Sequence, residues 1–285
     1  MSALGRPVAS GAGRIGGELT KLPAFVRRDV RIAISYRMAF ATAIVGLAAE
    51  VLVLSWIGKL INPDTLPQFG GAHVSYMAFV TIGMAVNLVA ATMLYQVATA
   101  LRNEQMIGTL ESLLCTPTAV WTLQLGAAAA TIAAIPLRMG VFLGVLAIAF
   151  GLHYHLSGIL PAAVLILGFV PCLWGIGLAL AGAILTFRRG AGATTVGAAA
   201  LGLSSGAFFP LSVLPGWLGA LAAVNPLTIA IRGLRDALLG GTGWAGVGSH
   251  LLELAPMSAV AMLVGGFAFH LALARERRNG TLGVY

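Results

Sequence analysis

Long apolar runs alternate with short polar intervals along most of this chain, and the runs have the length of membrane spans. Crossing the hydrocarbon core takes about 20 apolar residues in a helix. Six runs come near that length, over 38–59, 73–100, 119–151, 159–187, 191–209 and 251–274. The pattern predicts an all-α integral membrane protein with six transmembrane helices across 38–274. The third and fourth runs are over-long, so their ends are expected to project into water.

Two intervals carry a helical pattern of their own. Within 20–37, Arg27, Arg28, Arg31 and Ser35 share one arc of a helical wheel, and Leu22, Phe25, Val26, Val30, Ile32, Ala33 and Tyr36 occupy the opposite arc. A basic face backed by an apolar face suits a helix lying in the interface of an anionic leaflet. The second interval, 103–117, reads NEQMIGTLESLLCTP between two membrane-grade runs. Ile107, Leu110, Leu113 and Leu114 fall on one helical face, with Glu104, Gly108 and Glu111 on another. Pro117 disfavours the α-region at Thr116 and ends the run. A short amphipathic helix over 103–116 is predicted, with carboxylates available to a partner.

The stretch 210–248 is apolar yet broken by Pro210, Pro215 and Pro226, and neither half is long enough to span between breakers. It reads as short re-entrant half-helices, with Trp217 and Trp244 at headgroup level. Residues 1–19, rich in Gly, Ala and Ser, and residues 275–285 read as tails.

Composition agrees with a membrane protein: 59% of residues are hydrophobic and 9% charged, against about 25% charged in soluble domains. The net charge of +8 does not point to nucleic acid, because the charges cluster at span ends as orientation signals. Thirteen of the 17 Lys and Arg fall on one side, including Arg102, Arg188, Arg189, Arg275, Arg277 and Arg278. Lys59, Arg232 and Arg235 fall on the other. That bias places both termini, and 103–116, in the cytoplasm. The first apolar run is long enough to stay in the membrane, so no cleaved signal is read. Cys115 and Cys172 imply no disulfide framework. Gly175, Ala179 and Ala183 form a small-residue row suited to tight helix packing.

Candidate chemistry is sparse. Glu50, Asn87 and Arg138 lie within the first three spans. A charge at the bilayer centre costs at least about 2.5–3.5 kcal/mol, so it faces protein or water. Two readings follow, an internal ion pair of Glu50 with Arg138 and contact with a substrate. Gly202-Leu-Ser204-Ser-Gly206 fits G-x-S-x-G, which with His270 as base would make an intramembrane serine hydrolase. That chemistry requires a strained strand-to-helix elbow, and nothing here reads as a strand. His153 and His155 have no local Cys, Asp or Glu beside them, so they read as a polar loop and no metal is assigned. Arg232 and Asp236, four residues apart, read as a solvated pair.

Three blocks together resemble the ABC type-2 exporter permeases, and most nearly the daunorubicin-resistance type of bacterial drug-exporter subunit. They are the 104–117 stretch with GTLE and TP, the block GAFFPLSVLPGWLGALAAVNPLTIAIRGLRDALLGG at 206–241, and the tail RERRNGTLGVY. The second block carries Phe209, Pro210, Pro215, Asn225 and Pro226 in the FFP-x(3)-LP-x(9)-NP spacing. The resemblance covers essentially the whole chain. It implies that 103–116 is a coupling helix seated in a cleft of a separate ABC ATPase, with Glu104, Gly108, Thr109, Leu110 and Glu111 as its contacts. It further implies two ATPase copies carrying ATP and Mg, a second permease half, and outward export of drugs, lipids or lipid-linked molecules across a bacterial inner membrane. Independently, no G-x-x-x-x-G-K-[ST] occurs, so no cofactor is expected on this chain itself. The rival from another class is a proton-coupled secondary transporter using Glu50, against which no internal repeat or matched pair of broken spans is found.

Overall fold

The computed structural model describes residues 74–107, 120–187, 190–213 and 215–279, together with 42, 45, 46, 48–53, 56, 68 and 69. The tail 1–19, the basic amphipathic segment 20–37, most of the first span, residues 108–119 and residues 280–285 lie outside the described residues. What is described is built from helices: α1 Tyr76–Ile107, α2 Val120–Phe150, α3 Ile159–Phe187, α4 Gly190–Ser204, α5 Gly216–Ala223, α6 Pro226–Leu238 and α7 Gly243–Asn279. Four of them, α1, α2, α3 and α7, are long and apolar enough to cross a membrane.

α1 starts where Ser75 supplies a cap, its Oγ accepting from the Ala78 N–H at 3.3 Å. The helix then runs for 32 residues. At 1.5 Å per residue that is about 48 Å, well beyond the ~30 Å of hydrocarbon. The second span therefore continues past Ala100 as one helix through residues 103–107. Pro136, Pro171 and Pro256 sit inside α2, α3 and α7 without ending them. In a bundle, neighbouring helices help satisfy the backbone groups that such prolines free.

The fifth span departs from expectation. α4 holds only 15 residues and stops at Ser204, not at Phe209. Gly206 has φ 73°, a left-handed conformation that a side chain disfavours, and the chain turns there. Beyond that turn α5 and α6 form a helical pair bent by 81°. α6 is buried along nearly its whole length, with Arg232 its exposed residue, so it belongs to the core. The last helix begins at Gly243, which transfers residues 243–248 from the outer hairpin to α7.

One apolar core joins these elements. Phe79, Ile82, Met93 and Leu94 of α1 meet Leu165, Ile166, Phe169 and Leu173 of α3, with Leu227, Ile231 and Leu234 of α6 completing it. α3 and α7 pack backbone to backbone. A Cβ on Gly265 would strike the Gly175 carbonyl, and one on Gly175 would strike the backbone of Ala261. Farther along, a Cβ on Gly182 would lie 3.1 Å from the Ala268 carbonyl. The seam runs through Gly175 and Gly182, seven residues apart. Small residues allow this approach where no hydrophobic effect drives helices together.

Candidate functional site

The most elaborate polar construction lies around α6. Asn225 precedes it as its cap and Pro226 follows at the first helical positions. Asn225 Oδ1 accepts from the Leu227 N–H at 2.9 Å. Its amide donates to the Leu201 carbonyl at 2.8 Å and to Ser204 Oγ at 3.0 Å. One side chain thus starts α6 and ties it to the end of α4. Pro is suited to the first helical position because its missing N–H would have no intrahelical partner there.

Arg235, 4% exposed, reaches across the same junction. Its Nε donates to the Phe79 carbonyl at 3.2 Å and Nη1 to the Gly206 carbonyl at 3.1 Å. Nη2 reaches the Phe79, Gly206 and Ala207 carbonyls at 3.0, 3.1 and 3.1 Å. The guanidinium also lies over the Phe79 ring, 3.4 Å from its centroid. The charge is thereby balanced by carbonyl dipoles at the broken end of α4 and by an aromatic face. Tyr76 adds a third tie, its hydroxyl donating to the Phe208 carbonyl at 2.8 Å. A Cβ on Gly83 would strike the Ala207 carbonyl, so the α4–α5 turn lies directly on the α1 backbone.

The remaining residues of the 206–241 block divide. Phe209 and Pro215 are exposed and Pro210 is buried. Pro215 forms the start of α5, its carbonyl accepting from Leu218 at 2.9 Å and Gly219 at 3.0 Å. Arg232 is exposed, while Asp236 instead meets His250 of α7, with Oδ2 2.9 Å from Nε2. The expected Arg232–Asp236 pair gives way because α7 presents an imidazole that packs against Gly233.

Glu50 and Arg138 are both exposed on the single chain, and among the described residues no ion pair joins them. Asn87 is half-buried and lies against Gly202, where an added Cβ would stand 2.8 Å from Oδ1. That packing accounts for the first glycine of the G-x-S-x-G match. Ser204 and Ser205 donate to the Ala200 and Gly202 carbonyls at 2.8 and 2.6 Å, while His270 is exposed on α7. Neither hydroxyl is paired with a base, and the segment is helix and turn. Of the predicted coupling residues, Glu104 falls in the last turns of α1. Gly108, Thr109, Leu110 and Glu111 lie outside the described residues.

Two residues escaped the sequence reading, Arg235 and His250. The Asn-Pro pair at 225–226 and the Gly-Gly pair at 240–241 bracket their helix clearly. Arg232, Arg235 and Asp236 share one face of α6 at helical spacing, so the pattern alone groups the buried Arg235 with the exposed Arg232.

Comparison with the curated proteins gives no match. The family model described as ABC-2 type transporter matches residues 26–239, from the basic segment to the end of α6. It covers α1 to α6 and both polar junctions at Asn225 and Arg235, and with the apolar bundle it makes this a multi-pass permease domain. The chain belongs to the ABC-2 type transporter family.

Proposed function

We propose that this chain is the permease subunit of an ATP-driven exporter, powered by a separate ABC ATPase and paired with a second permease half. Its cargo is an amphipathic drug, lipid or lipid-linked molecule carried outward, and drug export of this kind would confer antibiotic resistance. The observation that carries the reading is the family match across 26–239. On this reading both termini and the 103–116 helix face the cytoplasm of a bacterial cell, as the Lys and Arg distribution favours. Two ATPase copies bind ATP and Mg and grip the coupling helices through Glu104 and the 108–111 segment.

The polar groups that the single chain leaves outward support a pathway between two halves. Glu50, Arg138 and, on α1, Thr92 and Tyr95 carry exposed or half-buried polar side chains at membrane level. Lipid is an unfavourable neighbour for such groups. A cavity shared with the second half gives them water and the polar part of an amphipathic cargo. The apolar residues among them, such as Leu88, suit the cargo's hydrocarbon part.

The test is a Glu104→Ala, Glu111→Ala double variant, assayed for ATPase co-purification and for export in vesicles. Expected is normal insertion with docking weakened roughly ten- to hundredfold, the loss of one charge-assisted bond or more. Wild-type docking and export by this variant would remove the coupling assignment. Transport by the permease reconstituted without any ATPase would favour the proton-coupled reading instead.

A further inference from the structure

His250 stands between two carboxylates on two different helices. Its Nε2 is 2.9 Å from Asp236 Oδ2 on α6, and its Nδ1 is 3.9 Å from Glu253 Oε2 on α7. An ionised carboxylate only accepts, so the short contact requires the proton on Nε2. Nδ1 is then the basic nitrogen. It is buried and has no hydrogen-bond partner, although a carboxylate stands within an ion-pair distance. With one ring proton, the imidazole holds Asp236 and turns a lone pair toward Glu253. With two, it donates to both carboxylates. Glu253 is 54% exposed, so its side chain has freedom to close the remaining distance.

The surroundings contribute little competing charge. α3, which packs Leu165 against Gly233 beside the ring, carries no Asp, Glu, Lys, Arg or His. Arg232, one turn before Asp236 on α6, is exposed, and Arg235 is turned to the Phe79 side. In the turn between α2 and α3, the His155 ring lies against Gly241, His153 is exposed, and burial pushes the Tyr154 phenol up from its ordinary value. His250 is thus the titratable group placed between Asp236 and Glu253.

We propose that Asp236, His250 and Glu253 form a proton-responsive clasp that fastens the buried hairpin helix α6 to the last span α7. Uptake of the second ring proton gives Asp236 of α6 a fully charged partner steadied by Glu253, and its loss leaves a neutral hydrogen bond and loosens α6. Which compartment supplies the proton rests on the orientation proposed above, where this end of the bundle faces outward. A low external pH then holds the hairpin closed against α7 and slows opening of the permease to the outside.

Hydrogen exchange of residues 226–242 in the purified permease tests the clasp without reference to sidedness. Wild type is compared with His250→Gln at pH 5.5 and at pH 8, a range over which histidines ordinarily change charge. The glutamine can still donate to Asp236 and cannot gain charge. At pH 5.5 wild type should exchange more slowly than the variant by roughly two- to fivefold, the size of a part-exposed charge pair. At pH 8 the two should converge. Glu253→Gln, an exposed substitution, should reduce the acid-side protection in an otherwise wild-type chain, which keeps the test valid if His250→Gln folds poorly. Equal ratios at both pH values, or full acid protection in Glu253→Gln, would overturn the proposal. In vesicles with the ATPase present, export should slow on acidifying the compartment that receives cargo. A slowing from the opposite compartment, with the exchange result intact, would leave the clasp standing and reverse the proposed orientation.

Discussion

Replacing Arg235 with lysine isolates what the guanidinium does, because the charge is retained. Arg235 makes five donor contacts to three backbone carbonyls at 3.0–3.2 Å and stacks on Phe79. An ammonium is a compact group on a flexible stem and lacks the planar fork that spans these carbonyls. At the same site it reaches at most two of them. One buried carbonyl is left unpaired, at about 1–3 kcal/mol. Weaker stacking on the ring costs about 0.5–2 kcal/mol more. The combined loss of about 1.5–5 kcal/mol corresponds to a fall of roughly 3–20 °C in melting temperature for a chain of this size class. The assay is thermal unfolding of the purified permease in nanodiscs, with Arg232→Lys as the control. Arg232 is exposed and its replacement should stay within about 0.5 kcal/mol of wild type. If Arg235→Lys melts with the control, the carbonyl cradle is not what holds α6 against α1 and α4.

Three further perturbations check neighbouring arguments. Gly265→Ala should cost about 1–3 kcal/mol of overpacking, because its Cβ meets the Gly175 carbonyl, while Gly266→Ala has open space and should be near neutral. Comparable melting of the two variants would show that the α3–α7 seam tolerates separation. At Asn225 the order of damage discriminates two roles: Asp equals Asn as a helix cap, but here it would aim a carboxylate at the Leu201 carbonyl. Asn225→Asp should therefore lower stability more than Asn225→Ala, and a wild-type Asp variant would reduce Asn225 to a cap. Glu50→Gln and Arg138→Gln should each fold in near-normal yield, since no ion pair joins them, while cargo-stimulated ATPase activity changes. Poor yield from each single variant with recovery in the double would restore the ion-pair reading.

How much of this was legible in the sequence depended on whether local signals or distant partners set each feature. Residues 159–187 were read with the same limits as α3, because an unbroken apolar run is its own signal. α2, at 120–150, differs from the expected 119–151 by one residue at each end. Asn225 and Pro226 also speak locally, as a cap and a first helical residue. The fifth span failed because its apolar pattern runs on to Phe209, while Gly206 turns the backbone and Arg235, 29 residues away, takes up the freed carbonyls. The start of α7 failed for the opposite reason. GWAGVGSH is too poor in apolar residues to read as span, yet it forms the first two turns of α7, and His250 engages Asp236 there. Arg235 was assigned to the outer charge count, and its burial depends on carbonyls from α1 and the α4 turn that no periodicity in α6 encodes.

These contacts give α6 a mechanical position that its short length conceals. It is tied to α1 through the Phe79 carbonyl, to α4 through Asn225 and Arg235, and to α7 through His250. α1 is a single helix from Tyr76, beside that junction, to Ile107, within the proposed coupling segment. A continuous helix of about 48 Å transmits displacement along its axis with little loss, because axial strain would break several backbone hydrogen bonds at once. Closure of an ATPase pair on residues 103–116 would therefore reach Phe79 directly. There the movement meets carbonyls that Arg235 holds in common with the Gly206 turn, so α1 cannot shift alone. The hairpin moves with it or the cradle opens. Either outcome alters the far side of the bundle without any rearrangement in its middle. This gives a physical reason for a buried arginine where an apolar residue would pack: its fixed fork joins three backbone segments that must move together.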